Sequence, residues 1–262
     1  MGAGVDVLMA SVMALVICVV VIHRLVGVAH RLRLVDRPIG RKKHGHPTPV
    51  VGGIGIYLAL CVAWFFLQGW EPSNVSLGFC MAGGLLVLVG SIDDVRDLSW
   101  RVRFPVQVVA ALLLCAFGTE LTRLAPLDVQ PTLSLGLLSI PFTVFAVVGL
   151  INAINMIDGI DGLAGSIVAA TLLLMAALST WGGDAGLAAL LVVAAACVLG
   201  FLGFNLRVPG RTKALTFLGN SGSALLGLLI AWAAIELTHG VNAQWTPAVA
   251  PWLVALPILD CL

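Results

Sequence analysis

Aspartates stand at the ends of very apolar segments in this chain. Asp93, Asp94 and Asp97 lie in GSIDDVRDL, and Asp158 and Asp161 in NAINMIDGIDGLAGS. A carboxylate is costly near a bilayer, so an interfacial cluster of them marks a functional site. On a helix Asp93 and Asp97 share a face, and Asp94 is three residues from Asp97. Carboxylates this close repel one another unless a cation intervenes. Asn152, Asn155, Asp158 and Asp161 recur at every third position, and Gly159 and Gly162 let the backbone turn there. Oxygen-only ligands with retained water suit Mg²⁺, which takes few carboxylates and completes its shell with substrate phosphates. The plainer alternatives are a helix cap partnered by Arg96 and Arg101, and a turn favoured by Asn and Asp for local reasons.

The opposite charge lies upstream. DRPIGRKKHGHPTPVVGG carries Arg37, Arg41, Lys42, Lys43, His44 and His46 before the Gly52-Gly53 pair. Arg and Lys match phosphoryl oxygens, though a basic loop also anchors to anionic lipid heads. Downstream, GFNLRVPGRTKALTFLGNSGSALLG offers Asn205, Asn220 and Ser221 beside small glycines. Backbone amides of a Gly-rich turn entering a helix can hold an anion. Alone that signal is weak.

These groups need a scaffold, and composition names it. The chain is 60% hydrophobic and 10% charged, against about 25% charged in a soluble domain. Its mean hydropathy is +1.08. The expected fold is an all-α polytopic membrane protein, one domain over 1–262. Nine helices are expected near 5–28, 51–68, 76–92, 102–118, 133–151, 162–181, 185–206, 219–238 and 247–262. Each is near the ~20 residues that cross a bilayer core. Alternating helices put the loops 29–50, 93–101, 152–161 and 207–218 on one side, with nearly all the arginines and lysines; only Arg123 falls opposite. The positive-inside rule makes the basic side cytoplasmic and the N-terminus external. The carboxylates then share the cytoplasmic face. Cys18, Cys61, Cys80, Cys115, Cys197 and Cys261 show no metal spacing and read as small hydrophobes.

DRPxxRKxHxxPxPxxGG, DDxxDL, NxxNxxDGxDGLAG, FNLRVP and FLGNSGS occur in this order. Together they resemble the polyprenyl-phosphate N-acetylhexosamine-1-phosphate transferases, over essentially the whole chain. Asp97 resembles the branch acting on UDP-N-acetylhexosamine; the related muramoyl-pentapeptide branch usually has Lys there. The resemblance implies that Asp93 and Asp94 are the catalytic or Mg²⁺-associated pair and that Asp97 completes the acidic motif. Asn152, Asn155, Asp158 and Asp161 would line the nucleotide and diphosphate pocket, Asp158 and Asp161 among the catalytic residues. Asn205 and the FLGNSGS turn would approach the metal and the uridine. Lys42, His44 and His46 match the basic substrate-binding loop. Two departures stand out. The family turn carries Asp, a metal ligand, where this chain has Asn220. The family also continues past the ALPILD-like segment into a cytoplasmic His loop and further helices, so the chain is read as incomplete there.

The implied reaction moves GlcNAc-1-phosphate from UDP-GlcNAc to undecaprenyl phosphate, releasing UMP and starting a cell-envelope glycan such as an O-antigen. Mg²⁺, with Mn²⁺ as an alternative, would assist. Asp93 or Asp94 would give what little base help an ionised lipid phosphate needs. The implied setting is the bacterial cytoplasmic (inner) membrane, with lipid around the chain, no nucleic-acid partner, and a homodimer compatible with the family. Other classes fit less well. A transporter would put carboxylates near the bilayer midplane at broken helices. An intramembrane aspartyl protease needs two Asp within helices. DGIDGLAG lacks the Ala-Arg pair and Asp spacing of CDP-alcohol phosphotransferases. A catalytically impaired homologue that binds lipid or a partner is the alternative that Asn220 raises.

Overall fold

Inside a bilayer the backbone has no water to bond, so apolar segments close their hydrogen bonds as helices. In the computed structural model, residues 3–36, 47–124 and 133–260 are described. They form α1 (Ala3–Leu32), α2 (Gly52–Leu67), α3 (Asn74–Arg96), α4 (Trp100–Ala116), α5 (Ser139–Ile157), α6 (Leu163–Trp181), α7 (Ala185–Asn205) and α8 (Gly219–His239). Among the described residues, six helices are long and apolar enough to cross a membrane, and α2 is apolar but shorter. This is a multi-pass membrane protein. The expected Lys42, His44 and His46 lie outside the described residues.

Helix α8 is the axis of the bundle, with α2, α3, α5 and α6 packed on it. Its apolar window is 94% buried, against 22% for α1, whose outer face is left for lipid. Trp232 of α8 meets Trp64 of α2 and Phe79 of α3 at ring separations of 4.9 and 5.5 Å. Offset aromatic contacts of this kind add to area burial. Near the start of α8 the helices approach so closely that side chains would not fit. A methyl at Gly53 would meet the backbone of Gly222, and one at Gly90 the Cα of Ser221.

The ends depart from the expected boundaries in ways that matter. Residues 133–138 form a short strand and a 3-10 turn, and α5 runs on to Ile157. Asn152 and Asn155 are therefore helical, not in a loop, and Asp158 caps the helix end. Helix α3 continues through Asp93 and Asp94 to Arg96. Asp97 then turns left-handed, at φ 51°, so the shared helical face expected for Asp93 and Asp97 does not extend to Asp97. The ninth expected helix is not one helix. The segment from Pro247 divides into a 3-10 turn, α9 (Ala250–Leu253) and α10 (Ala255–Leu259). Pro251 and Pro257 lie within it, and each removes a donor that a continuous helix needs.

Candidate active site: an acidic cleft at one end of the bundle

The C-terminal ends of α1, α3, α5 and α7 and the N-terminal ends of α2, α6 and α8 meet around a cleft of about 1810 Å³. Its walls include Asp93, Asp94, Asp97, Asn155, Asp158, Asp161, Asn205 and Asn220. The structure thus gathers residues from three separate motifs. Asn152 stands apart. Its amide donates to Gln107 Oε1 at 2.8 Å, and it lines a neighbouring pocket of about 220 Å³. Asp93, Asn155 and Asn220 line both spaces.

Each carboxylate has a distinct environment. Asp93 is buried. It accepts the Leu98 amide at 2.6 Å and faces Arg103 Nη1 at 3.4 Å. That closes the tight turn from α3 into α4. Asp94 accepts the Asn220 amide at 2.8 Å, and both the amide and hydroxyl of Ser221. These donors belong to the first turn of α8, whose amides have no partners within the helix. Asp161 accepts Arg207 Nε at 2.7 Å. Asp158 is half-buried, and its carboxyl is pushed up to about 7. Burial is the main cause; the negative field of Asp94 and then Asp161 adds to it.

The amides hold the walls together. Asn155 Nδ2 donates to Ser223 Oγ at 2.8 Å and to Asn220 Oδ1 at 3.2 Å. Asn205 is buried and spends both ends of its side chain within the protein. Its Oδ1 accepts the Gly162 amide at 2.7 Å, and its Nδ2 donates to the Thr216 carbonyl at 2.9 Å. Gly162 needs φ of 83° to start α6, a region that glycine enters without strain. Thr216 Oγ1 donates in turn to the Pro49 carbonyl at 3.0 Å, and Phe217 N donates to that carbonyl at 2.8 Å. One polar seam thus joins the flank of the basic loop, the end of α7 and the Asp158–Gly162 turn.

Sequence reasoning did not single out Arg103, Arg207 or Thr216. The two arginines counted only towards orientation, because each finds its aspartate across a turn or between distant segments. Among the described residues, no group of three His, Cys, Asp or Glu side chains could hold a metal ion by itself. Mg²⁺ does not demand one, since one or two carboxylates with substrate phosphates suffice. The mutual repulsion felt at Asp158 is what such an ion would relieve, so the oxygen donors present fit it.

Residues 76–238 match glycosyl transferase family 4. The chain belongs to that family. The matched stretch contains every candidate site residue outside the basic loop. Curated relatives carry the name undecaprenyl-phosphate alpha-N-acetylglucosaminyl 1-phosphate transferase. The one from Escherichia coli K12 is 32% identical over 234 residues, covering 89% of this chain and 63% of the relative. The one from Salmonella typhi is 34% identical over 234 residues, with the same coverage. The one from Yersinia pestis is 33% identical over 236 residues, covering 90% of this chain and 64% of the relative. The chain thus spans less than two thirds of these relatives' length. Within family 4, the resemblance read from the motifs is borne out at the level of the named relatives.

Proposed function

We propose that this family 4 chain carries the site for transferring N-acetylhexosamine-1-phosphate, GlcNAc-1-phosphate in the first instance, from a UDP-sugar to undecaprenyl phosphate. The relatives' names support the sugar, the phosphate and the lipid acceptor. The observation that carries the reading is the junction of two unlike spaces at Asp93, Asn155 and Asn220. The large cleft gathers charged and amide groups from Asp93 to Asn220 beside apolar wall residues such as Val50, Ile160 and Phe217. The smaller pocket adds apolar walls from Leu86, Phe104, Val106 and Ile151 to a polar end at Arg103, Gln107 and Asn152. A water-soluble donor suits the first and a lipid phosphate the second.

Phosphoryl transfer is mostly positioning and charge stabilisation. Arg103, oriented by Asp93, meets the acceptor phosphate at the mouth of the smaller pocket. That phosphate is largely ionised near neutral pH, with a second pKa of about 6, so it needs little base assistance. Asp94 fixes the first turn of α8, and with it Asn220, at the junction. Asp158, Asp94 and the Asn220 side-chain carbonyl would hold Mg²⁺, which supplies charge neutralisation for the diphosphate and the leaving UMP. Lys42, His44 and His46 are assigned to the donor by motif. The cleft opens to the cytoplasm of the bacterial inner membrane, where UDP-sugars are available.

The test is UMP release by purified protein given UDP-GlcNAc, undecaprenyl phosphate and Mg²⁺. Release that needs the lipid phosphate and stops with EDTA is the expected result. Folded protein that releases no UMP, from UDP-GlcNAc or UDP-GalNAc, would overturn the proposal.

A further inference from the structure

Arg207 lies on the cleft wall with Asp161. Its Nε donates to Asp161 Oδ2 at 2.7 Å. The Arg207 side chain is 63% exposed and that of Asp161 is 14% exposed. A pair so open to solvent contributes little to stability, about 0–1 kcal/mol. Yet its geometry is fixed with some care. Two residues before Arg207, Asn205 is pinned to Gly162, the residue after Asp161, by the buried 2.7 Å bond, and to Thr216 by the 2.9 Å bond. The two charged groups are thus set beside each other by a clamp independent of their attraction. With Nε occupied, the two Nη groups make no hydrogen bond among the described residues. A guanidinium held through one edge keeps its remaining donors for a forked contact, the geometry that matches phosphate oxygens.

We propose that Arg207, oriented by Asp161, is the residue that reads the diphosphate of the nucleotide-sugar donor. The assignment rests on the donor reading above and adds a residue that no motif marked. It also changes the role of Asp161, which acts here through the arginine as a positioning residue. Arg207–Asp161 in the cleft and Arg103–Asp93 at the smaller pocket then form two Arg–Asp pairs, one for each substrate's phosphate.

The experiment is equilibrium binding to the purified chain in EDTA, so that the protein's own charges are read. The probes are UDP, uridine and inorganic pyrophosphate; the variants are Arg207→Gln, Arg207→Lys and Asp161→Asn. Arg207→Gln should weaken UDP and pyrophosphate about 10- to 100-fold, the loss expected for a charged forked contact, and uridine by less than about threefold. Arg207→Lys keeps the charge without the fork and should fall between. Asp161→Asn should weaken UDP less than Arg207→Gln does. The unfolding temperature of Arg207→Gln should stay close to wild type, which separates lost contact from lost fold. UDP and pyrophosphate indifferent to Arg207→Gln would overturn the assignment, as would equal losses for UDP and uridine. Tighter UDP binding by Asp161→Asn would overturn the orienting role. Pyrophosphate binding that depends on Arg207 without any UDP binding would keep the phosphate site and remove the nucleotide-sugar reading.

Discussion

Asp94 and Ser221 are bonded twice across 127 positions of sequence, through the Ser221 amide at 3.3 Å and its hydroxyl at 3.1 Å. A carboxylate at the end of α3 thereby caps the start of α8, and its charge faces the positive end of the α8 dipole. Asp94→Ala should cost about 1–2 kcal/mol, the range for losing a helix cap. Asp94→Asn keeps one oxygen and should cost less. Thermal unfolding of the detergent-solubilised variants decides this. An Asp94→Ala variant as stable as wild type would remove the capping role.

The α3–α8 junction also depends on a missing side chain. A methyl on Gly90 would run into the Cα of Ser221, which is backbone and cannot rotate away. Gly90→Ala should therefore separate the helices, at the ~1–3 kcal/mol typical of overpacking. It should also weaken the Asp94–Ser221 bonds. Gly149 has open space beside it, so Gly149→Ala is the control, expected to change unfolding little. Equal effects from the two substitutions would refute the close-approach argument.

Most of the scaffold could be read from hydropathy, and most of the site from residue type, but not the pairings. Apolar length marked α6, α7 and α8 to within a residue or two, because segments in lipid must close their own hydrogen bonds. It misplaced α5 by six residues, since residues 133–138 are apolar enough to pass as helix. It also overlooked Pro251 and Pro257. Asp93, Asp94, Asp158 and Asp161 drew attention because charge beside a bilayer is costly. Nothing local shows that Asp93 turns to Arg103, Asp94 to α8 and Asp161 to Arg207. The first choice is made by the turn from α3 into α4, and the other two by packing between segments distant in sequence.

Asn205 lies on the cleft wall, as expected of a substrate-binding residue, and its side chain also makes two hydrogen bonds within the protein. Asn205→Ala would leave the Gly162 amide and the Thr216 carbonyl without partners in a buried place, at about 1–3 kcal/mol for each unpaired group. Asn205→Asp keeps an acceptor for Gly162 but sets a carboxylate oxygen against the Thr216 carbonyl, so it should not restore stability. Unfolding measurements on both variants check this. Lost nucleotide binding at unchanged stability would return Asn205 to direct substrate contact.

The raised carboxyl of Asp158 gives a pH dependence with a definite sign. Its folded value of about 7 stands above the ordinary 3.8, so the unfolded chain releases this proton more readily than the folded one. The stability it contributes is full below about pH 4 and is lost as pH rises through about 7. In EDTA the unfolding temperature should fall between pH 5 and pH 8, and Asp158→Asn should flatten that fall. Mg²⁺ with UDP should flatten it too, by offsetting the charge. An identical slope in wild type and Asp158→Asn would mean that other groups set the dependence.

Asn220 stands where the resemblance read from the sequence implies Asp, and sterically the difference is small. Its Oδ1 accepts from Asn155 Nδ2 at 3.2 Å, a contact that a carboxylate oxygen would make equally well. The difference is charge. Asn220→Asp adds a carboxylate close to Asp94, whose oxygen already holds the Asn220 amide, and Asp158 already feels the field of Asp94. Without a cation the added repulsion should lower the unfolding temperature. With Mg²⁺ the added charge should lower the half-saturating concentration for UMP release on the order of tenfold, because charge count tunes the affinity of oxygen-ligand sites. The two effects have opposite signs, so unfolding in EDTA and a Mg²⁺ titration of turnover form a paired test. A variant that loses stability in EDTA with no gain in Mg²⁺ response would place the ion away from Asn220. A variant silent in both would show that Asn220 faces neither Asp94 nor the metal.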